Sequence, residues 1–252
     1  AGNDVLILPV DVPYAIKSIK TAAEKDPRVM ARVEESCKKI LRVKYRMGLK
    51  DAELQPIKSV SNDINLAKYY SFRQRLYNEA VTMLENKNET LPLNRDSKIA
   101  IVTVGNDDIM YKTLKDDGLN VSEFKIDPEI NSKETDKIIK KLKYFDYVIV
   151  NVRNTSIYAA SDFGIKKETV AFVEKISKNN RIIFNLFACP YAYSKFKFKH
   201  DPVAVLVGYE DKKEAVKAVA DILVGTSSPS GKLPVSVNKK YKAGFGLTYE
   251  NV

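Results

Sequence analysis

The second half of the chain alternates short apolar runs with amphipathic helical patterns. The runs are five or six residues long and rich in β-branched residues, as buried strands are. Strands that are apolar on both faces need cover on both sides, and parallel strands need helical crossovers between them. The alternation therefore predicts an α/β fold with a doubly wound, mostly parallel sheet sandwiched by helices. The predicted strands are 99–104, 121–126, 147–152, 182–187 and 203–207, and the predicted helices are 107–116, 133–142, 165–177, 189–195 and 211–224.

The first part of the chain cannot form a core by itself. Residues 4–8 are a continuous apolar run that predicts one strand, and helical patterns follow at 14–23 and 28–47, with Gly48 placed to end the second helix. One strand and two helices leave their apolar faces without partners. We therefore expect residues 1–50 to be the end of a larger domain.

A joint connects the two parts. Residues 51–63 are polar and irregular, with a possible helix N-cap at Ser61, Asn62 or Asp63. Helical spacing of apolar residues then predicts a helix over 64–86. Pro92 cannot continue that helix, and an unbroken apolar run begins at Ile99. The pattern predicts that a new domain starts just after this turn.

Composition narrows the class of protein. The chain has 252 residues, of which 44% are hydrophobic, and no apolar run approaches the length needed to span a bilayer. The net charge of +10 is spread along the chain. The densest basic run, 195–200, alternates lysine with Phe196 and Phe198. It could stack on the bases of a single-stranded nucleic acid, or it could form an edge strand with its lysines outward. Because no nucleic-acid-binding motif accompanies the run, we expect no nucleic-acid partner. Cys37 and Cys189 are predicted to be small core residues without a disulfide.

Ordered motifs along the whole chain resemble glycoside hydrolase family 3. The segments 1–20 and 34–49 are similar to the last strand and helices of that family's barrel, and the Leu-Pro-Leu turn at 91–93 before Lys98, Ile99 and Ala100 resembles its domain boundary. Within the family these segments most resemble the β-N-acetylhexosaminidase branch of two-domain bacterial enzymes. The C-terminal signature of the family is matched by Ala220, Ile222, Gly225, Pro229, Ser230, Gly231, Leu233 and Pro234, and its closing turn by Phe245, Gly246 and Leu247.

The resemblance implies a domain plan and a reaction. Residues 1–50 would be the incomplete end of a (β/α)8-type barrel, 51–95 a linker and connecting helix, and 96–252 the α/β C-terminal domain. The full-length parent would hydrolyse β-glycosidic bonds, with terminal β-N-acetylhexosaminides as its carbohydrate substrate. The family's Asp nucleophile and the branch's His acid/base lie on barrel segments before Ala1, and the only histidine here, His200, is in the Lys/Phe run. We therefore expect no catalytic residue in this chain, and an Asp nucleophile motif encoded a few tens of residues upstream.

Two carboxylates are candidates for substrate binding. Asp11 follows the predicted barrel strand, where barrel active sites lie, and it could instead cap the helix that begins near Tyr14. Asp162 lies in the loop after the predicted strand 147–152, at the edge where open sheets bind ligands, and it could instead be a surface turn residue. We expect the loop 154–164 to form one wall of the sugar site.

The remaining motifs exclude other functions. No cysteine, histidine or acidic spacing indicates a metal, and no glycine-rich fingerprint indicates a cofactor. The run 225–231 is better interpreted as a tight turn before an edge strand than as a serine-hydrolase site. A stand-alone flavodoxin-like module that binds a small molecule is the alternative function. The sequence does not determine the cellular compartment, and a periplasmic or secreted parent is one hypothesis. A chain without its barrel should self-associate through exposed apolar surface.

Overall fold

The computed structural model describes residues 2–53, 57–64, 66–105 and 109–249. The chain divides into two compact units, Ala1–Ile64 and Asn65–Val252. The first two residues of the predicted helix at 107–116, Asp107 and Asp108, lie outside the described residues.

The first unit is helical. Its helices are α1 (Val12–Lys25), α2 (Pro27–Arg46) and α3 (Ile57–Ile64), with a 3₁₀ turn at Leu49–Asp51. Asp26 ends α1 and caps α2, because its carboxylate accepts a hydrogen bond from the Arg28 amide at 2.9 Å. Gly48, at φ 70°, follows the end of α2 as predicted. That this unit is the remnant of a barrel stays a prediction.

The predicted strand at 4–8 is wrong. The described part of this unit contains no strand, and the Ile7 and Leu8 side chains are 84% and 92% exposed. A strand needs a neighbour for its backbone hydrogen bonds, and the unit offers none. Asp4 instead binds α2, accepting hydrogen bonds from Arg32 Nη1 at 2.9 Å and Ser36 Oγ at 2.8 Å.

Two smaller predictions for this unit are also wrong. Cys37 is exposed instead of buried, since it lies on the solvent side of α2. The proposed N-cap residues Ser61, Asn62 and Asp63 lie inside α3, so they do not begin a helix. Part of the predicted irregular linker is therefore helical.

The second unit contains a six-stranded sheet in the order β1-β6-β5-β4-β2-β3. All neighbouring strands are parallel except β1 and β6. The strands are β1 (Thr82–Asn86), β2 (Lys98–Val104), β3 (Asn120–Ile126), β4 (Tyr147–Val152), β5 (Ile182–Leu186) and β6 (Ala204–Val207). The helices are α4 (Ala67–Ala80), α5 (Ile109–Asp116), α6 (Ser132–Leu142), α7 (Lys167–Ile176) and α8 (Lys213–Val224), with 3₁₀ turns at Lys87–Glu89, Ala159–Gly164 and Pro190–Lys195.

Helices cover both faces of this sheet. On one face, side chains such as Val150 and Phe184 pack with Phe172 of α7. On the other face, Ile149 packs in one cluster with side chains of α5 and α8, including Leu114. Alternate residues of each strand therefore enter opposite cores, as a doubly wound sheet requires. The predicted fold class is confirmed.

The predicted helix over 64–86 is wrong in its last six residues. Helix α4 ends at Ala80, and Thr82–Asn86 forms β1. This strand was not predicted, and it brings the number of strands in the sheet from the five predicted to six. Apolar residues at 80, 81, 83 and 84 fit either period over so short a stretch, and pairing with the free edge of β6 decides for the strand. Met83 is fully buried by this pairing.

Two predicted edge strands are also absent from the described part of the unit. Residues 196–200 are irregular, because the Phe196 and Phe198 rings both pack on Phe184, at 4.8 and 5.1 Å between centroids, instead of alternating. After Gly231 the chain folds back on itself, with the Leu233 amide bonded to the Phe245 carbonyl at 2.8 Å. Its only described β-bridge joins Leu247 to Met83.

Candidate functional site

The carboxyl edge of the parallel sheet holds a cleft of about 400 Å³. It opens between the ends of β2 and β4, which are neighbours in the sheet. The connection from β2 leads to β3 on one side, and the connection from β4 leads to β5 on the other. Such a switch point is where open α/β sheets bind ligands. The cleft is lined by Gly105, Lys125, Ile126, Asp127, Pro128, Arg153, Asn154 and Asp211.

Two residues with left-handed backbone form the walls of this cleft. Gly105 follows β2 with φ 102°, and Asn154 follows β4 with φ 58°. A Cβ on Gly105 would lie 3.3 Å from the Asn154 Cβ, closer than neighbouring side chains usually come. Positive φ at a residue other than glycine is uncommon and is concentrated at functional sites.

An ion pair fixes one side of the cleft. Arg153 Nη2 and Asp211 Oδ1 are 2.5 Å apart, and the Asp211 Oδ2 atom accepts the Asn154 amide hydrogen bond at 2.7 Å. The Arg153 guanidinium also lies 5.7 Å from the centre of the buried Phe187 ring. These contacts hold the end of β4 against the segment after β6, so the cleft is preorganised.

A row of buried polar side chains lies one layer below this cleft. Thr103, Asn151 and Asn185 are in register on β2, β4 and β5, and all are at most 2% exposed. Asn185 Nδ2 donates to Asn151 Oδ1 at 2.8 Å, and Asn151 Nδ2 donates to Thr103 Oγ1 at 3.2 Å. The Asn185 Oδ1 atom has no hydrogen-bond partner within the described residues.

The loop 154–164, which carries Asp162, is closely tied to the core. Phe163 is buried, and its carbonyl accepts a hydrogen bond from the Ser156 amide at 2.7 Å. Thr155 Oγ1 donates to the Phe187 carbonyl at 2.5 Å. The side chains of Ile157 and Tyr158 are left exposed, at 78% and 67%. The loop therefore presents two apolar side chains from an ordered backbone.

Asp162 lies on this loop in an ion pair with Lys195. The hydrogen bond and the charge of Lys195 lower the pKa of the Asp162 carboxyl. Its backbone is left-handed, at φ 54°, and more than half of its side chain is exposed. A carboxylate in this state is ionised at neutral pH and donates no proton.

Asp11 is the N-cap of α1 in the first unit. Its Oδ1 atom accepts a hydrogen bond from the Tyr14 amide at 2.9 Å, which is the capping role weighed from the sequence. Asp11 and Asp162 belong to different units. A role of either carboxylate in substrate binding stays a prediction.

Of the residues that line the cleft, sequence reasoning named only Asn154, as the first residue of the loop 154–164. Gly105, Arg153 and Asn154 directly follow predicted strands, and Asp211 follows the last one within a few residues. The rule that ligands bind at the carboxyl ends of parallel strands, applied to every strand, would have found them.

Another polar cluster beside β1 was also missed. Glu85 accepts hydrogen bonds from Lys240 and, at 2.6 Å, from the Tyr241 hydroxyl. Burial alone would raise the pKa of Glu85, but these two hydrogen bonds and the Lys240 charge outweigh it and lower that pKa. Burial and the bond to Glu85 raise the pKa of Tyr241. The chain's own groups satisfy this carboxylate, so the cluster holds the tail of the chain on the sheet.

The described ranges hold neither a candidate metal site nor a membrane-spanning helix. Those residues bring together no group of three or more His, Cys, Asp or Glu side chains that could hold a metal ion. Among the same residues, no helix is long and apolar enough to cross a bilayer.

Comparison with known proteins relates the second unit to a characterised domain. The model of the glycosyl hydrolase family 3 C-terminal domain matches residues 81–251. The periplasmic beta-glucosidase of Salmonella typhimurium is 24% identical in an alignment 280 residues long. The alignment covers 89% of this chain and 35% of that protein. The chain spans about a third of the length of the curated relatives that match most of it.

Solved structures have the same fold. A glycoside hydrolase family 3 beta-N-acetylglucosaminidase from Paenibacillus superposes with a TM-score of 0.62 at 18% identity, covering 82% of this chain and 40% of that one. A beta-glucosidase from Listeria innocua, in complex with glucose, gives a TM-score of 0.65 at 19% identity, covering 94% and 36%. At these identities the similarity establishes the fold.

Proposed function

Since the chain belongs to glycosyl hydrolase family 3 and carries that family's C-terminal domain over residues 81–251, we propose that it is the non-catalytic part of an enzyme that removes terminal β-linked sugars. The preceding part of the parent would supply the nucleophile and the acid/base. The domain match is the observation that carries this proposal, and it disfavours a stand-alone module.

The state of Asp162 supports the non-catalytic role. A retaining glycosidase needs one carboxylate as nucleophile and a protonated acid/base about 5–5.5 Å away. The Lys195 partner lowers the pKa of Asp162, whereas a general acid needs a raised pKa. Asp11 is occupied as a helix cap. Neither carboxylate therefore has the environment of an acid.

The test is turnover of p-nitrophenyl β-N-acetylglucosaminide by the purified chain. We expect release of p-nitrophenol at the rate of the blank, because the two catalytic groups are missing. Activity above the blank that disappears in Asp162→Asn or Asp11→Asn would refute the proposal. Activity that survives both changes would indicate a contaminating enzyme. The control is the Asp162→Asn, Asp11→Asn double variant, whose preparation would contain the same contaminant and show the same activity.

The sugar specificity of the parent is a finer proposal. We propose terminal β-N-acetylhexosaminides, on the resemblance of segments 1–20 and 34–49 to that branch. Its relatives include proteins named for glucosides, so the full-length protein should be assayed on the p-nitrophenyl β-glucoside and β-xyloside as well. The highest kcat/KM on either of these would refute the assignment.

The loop 154–164 is proposed as one wall of the sugar site. Its exposed tip residue Tyr158 would contact the substrate, and Tyr144, which is exposed at 81% outside this loop, is a matched control. In the full-length enzyme, Tyr158→Ala should lower kcat/KM roughly tenfold, the effect of an aromatic contact worth about 1.4 kcal/mol. Tyr144→Ala should leave kcat/KM unchanged, and equal effects of both changes would refute the role of the loop.

A further inference from the structure

The switch-point cleft between β2 and β4 is built as a binding site. Its walls are the left-handed residues Gly105 and Asn154, and its side is fixed by the ion pair between Arg153 and Asp211. A volume of about 400 Å³ is within the range of small-molecule sites and fits about one sugar ring. Asn154 is the first residue of the loop 154–164, and no later residue of that loop is among the described residues that line the cleft.

The charges in the cleft select the class of ligand. Lys125 and Arg153 are matched in number by Asp127 and Asp211, so the lining side chains that the structure describes have no net charge. Arg153 and Asp211 neutralise each other at 2.5 Å, and Lys125 is 3.5 Å from Glu123. An anion such as phosphate would need an excess of positive charge, which this cleft does not have.

The exposed polar atoms suit a neutral ligand with several hydroxyl groups. Asp127 and the side-chain amide of Asn154 belong to exposed residues of the lining. Asp127 Oδ1 accepts a hydrogen bond from the Glu129 amide at 2.7 Å, so Oδ2 is the oxygen that would accept from a ligand. Carboxylate oxygens accept hydrogen bonds, and an amide both donates and accepts, as adjacent hydroxyls on one ring require. The described residues that line the cleft include no aromatic side chain on which a nucleotide base or a flavin could stack.

We propose that this cleft is a second, non-catalytic binding site for a neutral sugar, on the C-terminal domain itself. The ligand would sit between Gly105 and Asn154 and exchange hydrogen bonds with Asp127 and Asn154. The proposal does not depend on the catalytic role of the parent, since binding here needs no bond cleavage.

The test is titration of the ¹⁵N-labelled chain with glucose, xylose or N-acetylglucosamine, followed by NMR. We expect dissociation constants on the order of millimolar, with the largest shifts at the amides of Gly105, Asp127 and Asn154. Asn154→Gly keeps the left-handed backbone and removes the amide side chain, so it should weaken binding at least about fivefold. The control Asp117→Asn changes a half-buried carboxylate that does not line the cleft, and it should bind as the wild type does.

Three results would overturn the proposal. The first is that none of the three sugars shifts these amides at concentrations well above millimolar. The second is that inorganic phosphate shifts them and the sugars do not, which would make the site an anion site. The third is that Asn154→Gly, with an otherwise unchanged spectrum, binds as tightly as the Asp117→Asn control.

Discussion

Replacing Asn185 with Asp exchanges one side-chain group, NH₂ for oxygen, at the β5 end of the buried polar row. Asn185 Nδ2 donates to Asn151 Oδ1 at 2.8 Å, and the side chain is completely buried. An ionised carboxylate has no hydrogen to donate, so two oxygens would face each other at this distance. The change is nearly isosteric, and its cost therefore comes from electrostatics and the lost hydrogen bond.

The magnitude follows from these contacts. A buried charge without a partner destabilises a protein by about 3–5 kcal/mol, and the neutral alternative requires the carboxyl to be protonated. Burial raises the folded-state pKa of the introduced carboxyl above its unfolded value of about 3.9. For a raised pKa, the penalty is absent below the unfolded pKa and grows as pH rises through the folded pKa. A protonated carboxyl could also donate to Asn151 Oδ1, which restores the lost bond.

Urea unfolding followed by circular dichroism at neutral pH and at about pH 5 measures both features. At neutral pH the free energy of unfolding of the variant should be about 3–5 kcal/mol lower than that of the wild type. This deficit should shrink by up to about 1.4 kcal/mol for each unit by which the pH falls. Asn179→Asp, at an exposed position, is the control and should differ from the wild type by less than about 0.5 kcal/mol. A deficit below about 1 kcal/mol, or one that does not change with pH, would refute the reasoning.

Three other changes test the packing of the second unit and the apolar surface of the first. Glu85→Gln should lower the free energy of unfolding by about 1–2 kcal/mol at neutral pH. Because the folded-state pKa of Glu85 is lowered, this loss should fade as pH drops below about 4.5. Thermal melts at neutral and at low pH test this, and a difference between variant and wild type that is the same at both pH values would contradict it. Gly231→Ala should cost about 3 kcal/mol or more in urea unfolding, since its Cβ would lie 2.0 Å from the Ala80 carbonyl oxygen, and a loss no greater than that of Ser230→Ala would contradict this. A chain that begins at Asn65 lacks the exposed apolar residues of the first unit. It should remain folded by circular dichroism, and it should bind less hydrophobic dye and self-associate less than the full chain. Unfolding of this shorter chain, or unchanged dye binding, would contradict the prediction.

The sequence predicts the parallel part of the sheet well because each strand is buried on both faces. In β2, every residue from Ile99 to Val104 is buried, so hydrophobicity alone marks the strand and its ends. The edge strand β1 was missed because its identity depends on β6, more than a hundred residues later. At 4–8 the same kind of apolar run was predicted as a strand, and it is not one because the described part of its unit contains no partner strand. Local pattern specifies strands inside a sheet, whereas strands at an edge depend on distant pairing.

The candidate site was less predictable for the same physical reason. Asp162 could be placed at the carboxyl edge, because it follows a recognisable strand. Its ion pair with Lys195, which decides its protonation state, joins two loops that no short-range pattern connects. Similarly, the pair between Arg153 and Asp211 and the register of Asn151 with Asn185 appear only when the strands are assembled.

The two best-matched motifs of the chain, the boundary at 79–93 and the signature at 220–234, meet at one corner of the second unit. Ser230 Oγ lies 3.4 Å from the Glu79 carbonyl oxygen, and the Gly231 amide donates to the Val81 carbonyl at 3.2 Å. A Cβ on Gly225 would meet the Pro92 ring at 2.9 Å, so only glycine allows this approach without a shift. Residues that appear in the sequence to shape turns therefore hold the junction between α4 and β1, where the α/β domain begins. Because the direction in which α4 leaves the sheet is fixed by these backbone contacts, a substitution in the signature should alter that junction before it alters the carboxyl-edge cleft.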